Sequence, residues 1–263
     1  MSTTASPDLE VIGVNKTFGG VRALRDVNIR INGTEITALI GPNGAGKTTL
    51  FNVISGFGTP YSGKVQFGDR DLTGLPAFKV ARAGLVRTFQ TPIGFKSMTV
   101  VENIALATGG SDLDLPWAPF LRWKQDRRRR AEAHDAAWAH LDQANVGHLG
   151  DRSMADLSPG DAKLVEILRQ LALSPQMLLL DEPAAAMTVD QIKTLSGIIR
   201  DISTRGIGVV VIDHNLSFVL ELAARVHVLE SGAVIASGTP EQIGNNPNVK
   251  RIYLGGAEES DVA

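Results

Sequence analysis

The sequence predicts an α/β fold built on a mostly parallel sheet. Three observations carry that prediction. A compact apolar run, Glu35–Ile40, ends in a glycine-rich loop and is followed at once by a helical pattern; two later apolar runs end at carboxylates; and helical stretches separate them. Strands alternating with helices join through crossovers into a parallel sheet covered on both faces.

The elements follow in order. Residues 9–14 (LEVIGV) and 27–31 (VNIRI) alternate in part and lie close to glycine, so they read as strands with one buried face. Glu35–Ile40 is apolar enough for burial on both faces, and Leu50, Phe51, Val53 and Ile54 mark the helix after the loop. Met177–Leu180 and Val209–Ile212 are further buried strands, with helices over Gly160–Leu173 and Gln191–Ser203. Val226–Leu229, a Ser231-Gly232 turn and Val234–Ala236 form a closing hairpin, and Thr239-Pro240 opens a helix with Thr as N-cap and Pro at the first helical position. Residues 91–155 contain no buried strand and carry helical segments at Thr99–Ala107 and Lys124–Ala144, so they read as a helical insertion. The expected domains are a core of 1–90 and 156–255, a helical subdomain of 91–155, and a flexible tail of 256–263.

Composition narrows the function. The 263 residues are 43% hydrophobic and 21% charged, which excludes a disordered chain. Lys and Arg number 26 and Asp and Glu 28, a net charge of −2, so a strongly basic nucleic-acid binder is excluded while a local basic patch is not. The absence of cysteine rules out disulfides, thiolate zinc sites and cysteine nucleophiles, and the five histidines show no metal-ligand spacing. No apolar stretch approaches the ~18–20 residues of a membrane-spanning helix. The polar start lacks a secretory pattern, which points to the cytoplasm.

Two motifs carry chemistry. Gly41-Pro42-Asn43-Gly44-Ala45-Gly46-Lys47-Thr48, followed by Thr49, matches the G-x-x-x-x-G-K-S/T phosphate loop in full. Glycines let successive N–H groups approach phosphate oxygens, and the helix start adds partial positive charge. Lys47 is expected to reach the β- and γ-phosphates of ATP, and the Thr48 hydroxyl to ligate Mg²⁺. In Met177–Pro183, a buried strand delivers Asp181 to its carboxyl end, where doubly wound sheets bind ligands. Asp181 is expected to hold Mg²⁺ through water and Glu182 to polarise the attacking water. Alone, the paired carboxylates also fit a helix cap.

Taken together, these motifs resemble the ATP-binding subunits of ABC transporters over residues 9–255. The resemblance implies a P-loop NTPase ABC cassette, with a mostly parallel core sheet, an N-terminal antiparallel β subdomain and the inserted helical subdomain. It places Phe18 at the adenine-stacking position, with a core residue at a strand end as the lesser alternative. It makes Gln90 a ligand of Mg²⁺ and the lytic water, and His214 the switch histidine that meets the γ-phosphate.

The signature segment departs from the family's LSGGQ, reading Leu157-Ser158-Pro159-Gly160-Asp161. Ser158 and Gly160 are kept and would face ATP on a second subunit, where the Asp161 carboxylate would repel phosphate. The same residues fit an S-x-x-D capping box, with Asp161 returning to the Ser158 backbone. Ala186, Met187 and Thr188 stand where relatives carry Gly and then Asn or Asp. Both departures fall on what the chain offers its partner, so the second site is expected to be slow or to serve mainly as a clamp, and Asp161→Gln to raise turnover.

Arg87-Thr88-Phe89-Gln90, Thr99–Asn103, Asp181–Ala185, Val234–Glu241 and Asn245…Gly255 resemble the branched-chain amino-acid type of importer; urea-importer and lipopolysaccharide-export ATPases share much of this pattern. The resemblance implies a second ATPase subunit in a heterodimer, transmembrane permeases, an indirect substrate-binding protein, no nucleic acid, and a peripheral place on the cytoplasmic face of the membrane. A mainly structural half of a heterodimer is a further reading. Asp126–Arg130, preceded by Trp117, Phe120, Leu121 and Trp123, reads as a solvated helix face or as a contact with anionic headgroups or the membrane subunits.

Overall fold

The computed structural model describes residues 6–60, 62–88, 94–108 and 123–254; for 123–127, 253 and 254 it describes the helical backbone alone. Contacts divide the chain into two units, one of Met1–Arg87, Gln176–Pro183 and Ile199–Ala263, the other of Thr88–Pro175 and Ala184–Ile198.

The first unit holds two sheets. Strands β1 (Leu9–Phe18), β2 (Val21–Ile31), β4 (Ser62–Phe67) and β5 (Arg70–Asp71) form an antiparallel sheet in the order β2-β1-β4-β5. Leu9, Val11 and Val14 of β1, with Val27, Ile29 and Ile31 of β2, give it one apolar face. The second sheet runs β10-β9-β3-β8-β7-β6, from β3 (Ile36–Ile40), β6 (Leu85–Arg87), β7 (Met177–Asp181), β8 (Gly208–Ile212), β9 (Arg225–Glu230) and β10 (Ala233–Gly238). Its neighbours from β9 to β6 are all parallel, and β10 closes the edge antiparallel to β9. Every residue of β3, β7 and β8 is buried, as strands covered on both faces require.

Helix α1 (Lys47–Ile54) follows β3 and sinks Leu50, Phe51, Val53 and Ile54 into a cluster shared with Leu9, Leu24 and Phe67 of the antiparallel sheet and Leu179 and Val210 of the parallel one. That single helix anchors the loop before it to the core of the unit. Helix α2 (Ala77–Arg82) leads into β6.

The second unit is helical, with α3 (Val100–Thr108), α4 (Trp123–Gln143) and α5 (Pro159–Leu171). Thr99 and Glu102 cap α3 reciprocally, the Thr99 N–H donating to the Glu102 carboxylate at 2.8 Å. The unit reaches past the expected 91–155 because α5 buries Leu164, Val165 and Leu168 and packs on α3. Helix α6 (Val189–Thr204) is divided between the units, while α7 (Leu216–Leu222), α8 (Pro240–Asn245) and α9 (Pro247–Leu254) belong to the first. At α8, Thr239 and Gln242 form a full capping box, with Pro240 at the first helical position. Among the described residues, no helix is long and apolar enough to cross a membrane. The tail 256–263 lies outside the described residues.

Candidate functional site

The phosphate loop leaves the carboxyl end of β3 and closes onto α1, both in the first unit. Its glycines are fixed by space as well as dihedral angle. A Cβ on Gly41 would fall 2.1 Å from the Leu229 carbonyl oxygen, and one on Gly46, at φ 103°, 2.6 Å from that of Ala23. The Gly232 N–H donates to the Ala45 carbonyl at 2.9 Å and pins the loop's middle. Asn43, Gly44 and Thr48 are exposed, with Pro42 and Thr49 half-buried. No side chain caps the start of α1 and no acidic residue stands in its first turn. This helix end therefore keeps its positive character for an anion.

Lys47 is buried, and its Nζ donates to the carbonyls of Gly41 at 2.7 Å and Pro42 at 2.9 Å. Burial lowers its pKa, while the charges of Glu182 and Asp181 act the other way. The ammonium thus stands beside the phosphate-loop backbone, with loop carbonyls as its partners.

Asp181 ends β7, 1% exposed. Arg87, the last residue of β6, places Nη2 2.6 Å from Asp181 Oδ2. Its Nη1 donates to Asn52 Oδ1 at 2.6 Å and Ser55 Oγ at 3.2 Å, both from the α1 segment. The guanidinium also lies over the rings of Phe51 and Phe57. No sequence motif marks this network. Arg87 closes a three-residue buried strand, a position that demands a partner once the strand is in place.

Glu182 follows at φ 48°, a left-handed conformation costly for a side-chain-bearing residue. Its N–H donates to the Ile212 carbonyl at 2.8 Å, and its Oε1 lies 2.9 Å from His214 Nε2. Thus β7 and β8 deliver an acid and a histidine to one point. Phe18, at the end of β1, is 56% exposed with Lys16 Nζ 5.0 Å above its ring, which removes the core reading of this residue.

In the second unit, Ser158 caps α5, accepting from the Asp161 N–H at 3.1 Å, with Pro159 at the first helical position and Gly160 buried. The expected return of the Asp161 side chain to the Ser158 backbone does not occur. The carboxylate is taken by Gln191 Nε2 at 2.8 Å. Gln90, Trp117, Phe120 and Leu121 lie outside the described residues, as do the side chains of Trp123 and Arg127. Arg128, Arg129 and Arg130 are exposed, and Arg128 pairs with Glu132.

The donors suit magnesium. Among the described residues no group of three His, Cys, Asp or Glu forms a cage. Instead, one strand-end carboxylate (Asp181) and a hydroxyl (Thr48) supply hard oxygen, the sparse protein contribution that magnesium takes alongside phosphates and water.

The ABC transporter family model matches residues 24–185. The chain belongs to the ABC transporter family. As an ABC cassette it is an ATPase subunit of a transporter. A second model, the branched-chain amino acid ATP-binding cassette transporter, matches residues 233–259. The chain is 38% identical over 254 residues, 96% of its length and 100% of the relative's, to the high-affinity branched-chain amino acid transport ATP-binding protein LivG of Escherichia coli K12. It is 37% identical to BraF, of the same description, from Pseudomonas aeruginosa, covering 95% of this chain and 99% of that one. Among solved structures, the ADP conformation of MJ1267, an ATP-binding cassette of an ABC transporter, matches with a TM-score of 0.80 at 33% identity, over 96% of this ABC cassette and 100% of that chain.

Proposed function

We propose that this ABC cassette binds ATP with Mg²⁺ and hydrolyses it to drive uptake of branched-chain amino acids through transmembrane permease subunits, from the cytoplasmic face of the cell membrane. The observation that carries the substrate class is the match of residues 233–259 to the branched-chain cassette model, alongside the full-length likeness to LivG and BraF.

In this reading, the N–H groups of Gly41–Thr49 cradle the phosphates, Lys47 swings from its loop carbonyls to the β- and γ-oxygens, and Phe18 stacks on adenine. Thr48, Gln90 and, through water, Asp181 would hold magnesium, which when bound would neutralise charge on the phosphate oxygens. Glu182 accepts the proton of the attacking water as its oxygen bonds to the γ-phosphorus and the bond to ADP's β-phosphate oxygen breaks. His214, hydrogen-bonded to Glu182, orients that carboxylate and meets the γ-phosphate. Ser158 and Gly160 complete the ATP site of a second cassette, and permeases couple the pair to an extracytoplasmic binding protein.

Deleting the gene and measuring entry of labelled leucine, isoleucine, valine, urea and an amide tests the substrate class. Loss of branched-chain uptake alone is expected. Loss of urea uptake, or of surface lipopolysaccharide with amino-acid entry intact, would overturn it.

A further inference from the structure

The two places where this chain departs from the family pattern are joined by one side chain. Gln191, in the first turn of α6, donates from Nε2 to Asp161 Oδ1 at 2.8 Å and to Ser158 Oγ at 3.3 Å. Its Oε1 accepts from the Thr188 N–H at 3.0 Å and from Thr188 Oγ1 at 3.3 Å. The Gln191 N–H in turn donates to Thr188 Oγ1 at 3.3 Å, so the pair is also the capping box of α6. An amide offers two donors and two lone pairs, and all four are used here. All these residues belong to the second unit.

Gly160 makes the reach possible. A Cβ there would lie 2.3 Å from Gln191 Oε1, so any other residue would push the amide away. The same arrangement explains why Asp161 does not complete its own capping box. Left local, its carboxylate would lie over the free N–H groups at the start of α5 and repel an incoming oxyanion. Its Oδ1 is instead taken up by an amide donor from the first turn of α6, which also reaches Ser158 Oγ.

We propose that Gln191 is a positioning residue that holds the Asp161 carboxylate off the N-terminus of α5, so that this helix end still receives a phosphate oxyanion despite the acidic residue in its first turn. The proposal rests on the reading that Ser158 and Gly160 complete a second cassette's ATP site. It replaces the expectation of a slow site with one in which a co-adapted glutamine offsets the unusual aspartate, and Thr188 is present as that glutamine's anchor.

The test uses the whole transporter, purified with its permeases and companion cassette, and measures kcat and KM for ATP. Gln191→Leu is expected to lower kcat about tenfold with KM within twofold, measured beside Asp161→Asn and the double variant. The double variant is expected to return to the Asp161→Asn rate. A double variant as slow as Gln191→Leu would show that Gln191 serves as a helix cap alone and would overturn the proposal. Ser158→Asp keeps the cap and adds a carboxylate that Gln191 does not hold, and is expected to be slow. Full speed in Gln191→Leu with slow Ser158→Asp overturns the inference while leaving the underlying reading intact; full speed in both removes that reading as well. Should Gln191→Leu fail to fold, Gln191→Glu keeps the capping-box acceptor while opposing two carboxylates. It is expected to be slow alone and restored by Asp161→Asn.

Discussion

His214 Nε2 lies 2.9 Å from Glu182 Oε1, and Glu182 reaches that point from a left-handed backbone at φ 48°. A carboxylate held in a costly conformation at the end of a fully buried strand, and oriented by a histidine from the next, is arranged for chemistry more than for stability. His214 is half exposed, so its loss leaves little unsatisfied. His214→Ala should therefore cut ATP turnover about a hundredfold and leave the thermal midpoint unchanged. Steady-state phosphate release and differential scanning calorimetry check the two halves.

The Arg87–Asp181 pair makes the opposite prediction. Both side chains are buried, and Arg87 also binds Asn52 and Ser55. Removing one partner strands a buried charge, so Arg87→Met should cost about 3–5 kcal/mol in a urea titration. Pairing it with Asp181→Asn should recover much of that loss, because the stranded charge is then gone.

Lys47 is a buried charge, and on the proposed reading it awaits the phosphates of ATP. Burial depresses its pKa, so below its ordinary range folding works against the charged form. Lys47→Met removes that burden. Its thermal midpoint should equal or exceed the parent's, while ATP affinity, read by isothermal titration, falls at least tenfold, about 1.4 kcal/mol.

Two groups make the fold sensitive to acid in separate windows. His227 is buried, with Nδ1 against Ser237 Oγ at 2.7 Å, and burial lowers its pKa. The unfolded chain then binds the proton that the fold refuses, so stability falls as pH drops through the ordinary histidine range near about 6.5 toward the depressed value. Asp8 accepts from the Gly33 N–H and from Arg30, which hold its pKa down. Its contribution is present above the ordinary carboxylate range and is lost as pH falls through its lowered value. Urea midpoints measured from pH 7.5 to 3 should decline in two stages, and His227→Gln should remove part of the first.

The course of β3, the loop and α1 was legible because a fully apolar run, glycines and a helical pattern stand side by side in the chain. The delivery of Asp181 by β7 was legible for the same reason. Strand β6 was not, since Leu85–Arg87 is three residues long and carries no period, and Ser62–Phe67 mixes polar and apolar residues without clear alternation. Long-range partners were hidden altogether. Arg87 meets Asp181 94 residues later. Asp161 abandons its local capping partner for Gln191, 30 residues on. Short-range capping rules describe what neighbours in the chain can do, and a well-placed distant amide outcompetes them.

On the proposed reading, Glu182 couples bound ATP to transport. Its most direct test is Glu182→Gln in the complete transporter reconstituted in vesicles, with phosphate release and labelled leucine entry measured together. The substitution preserves shape and backbone strain, so ATP binding should persist while both phosphate release and leucine entry stop. Leucine entry at the parent rate in this variant would rule out that role for Glu182.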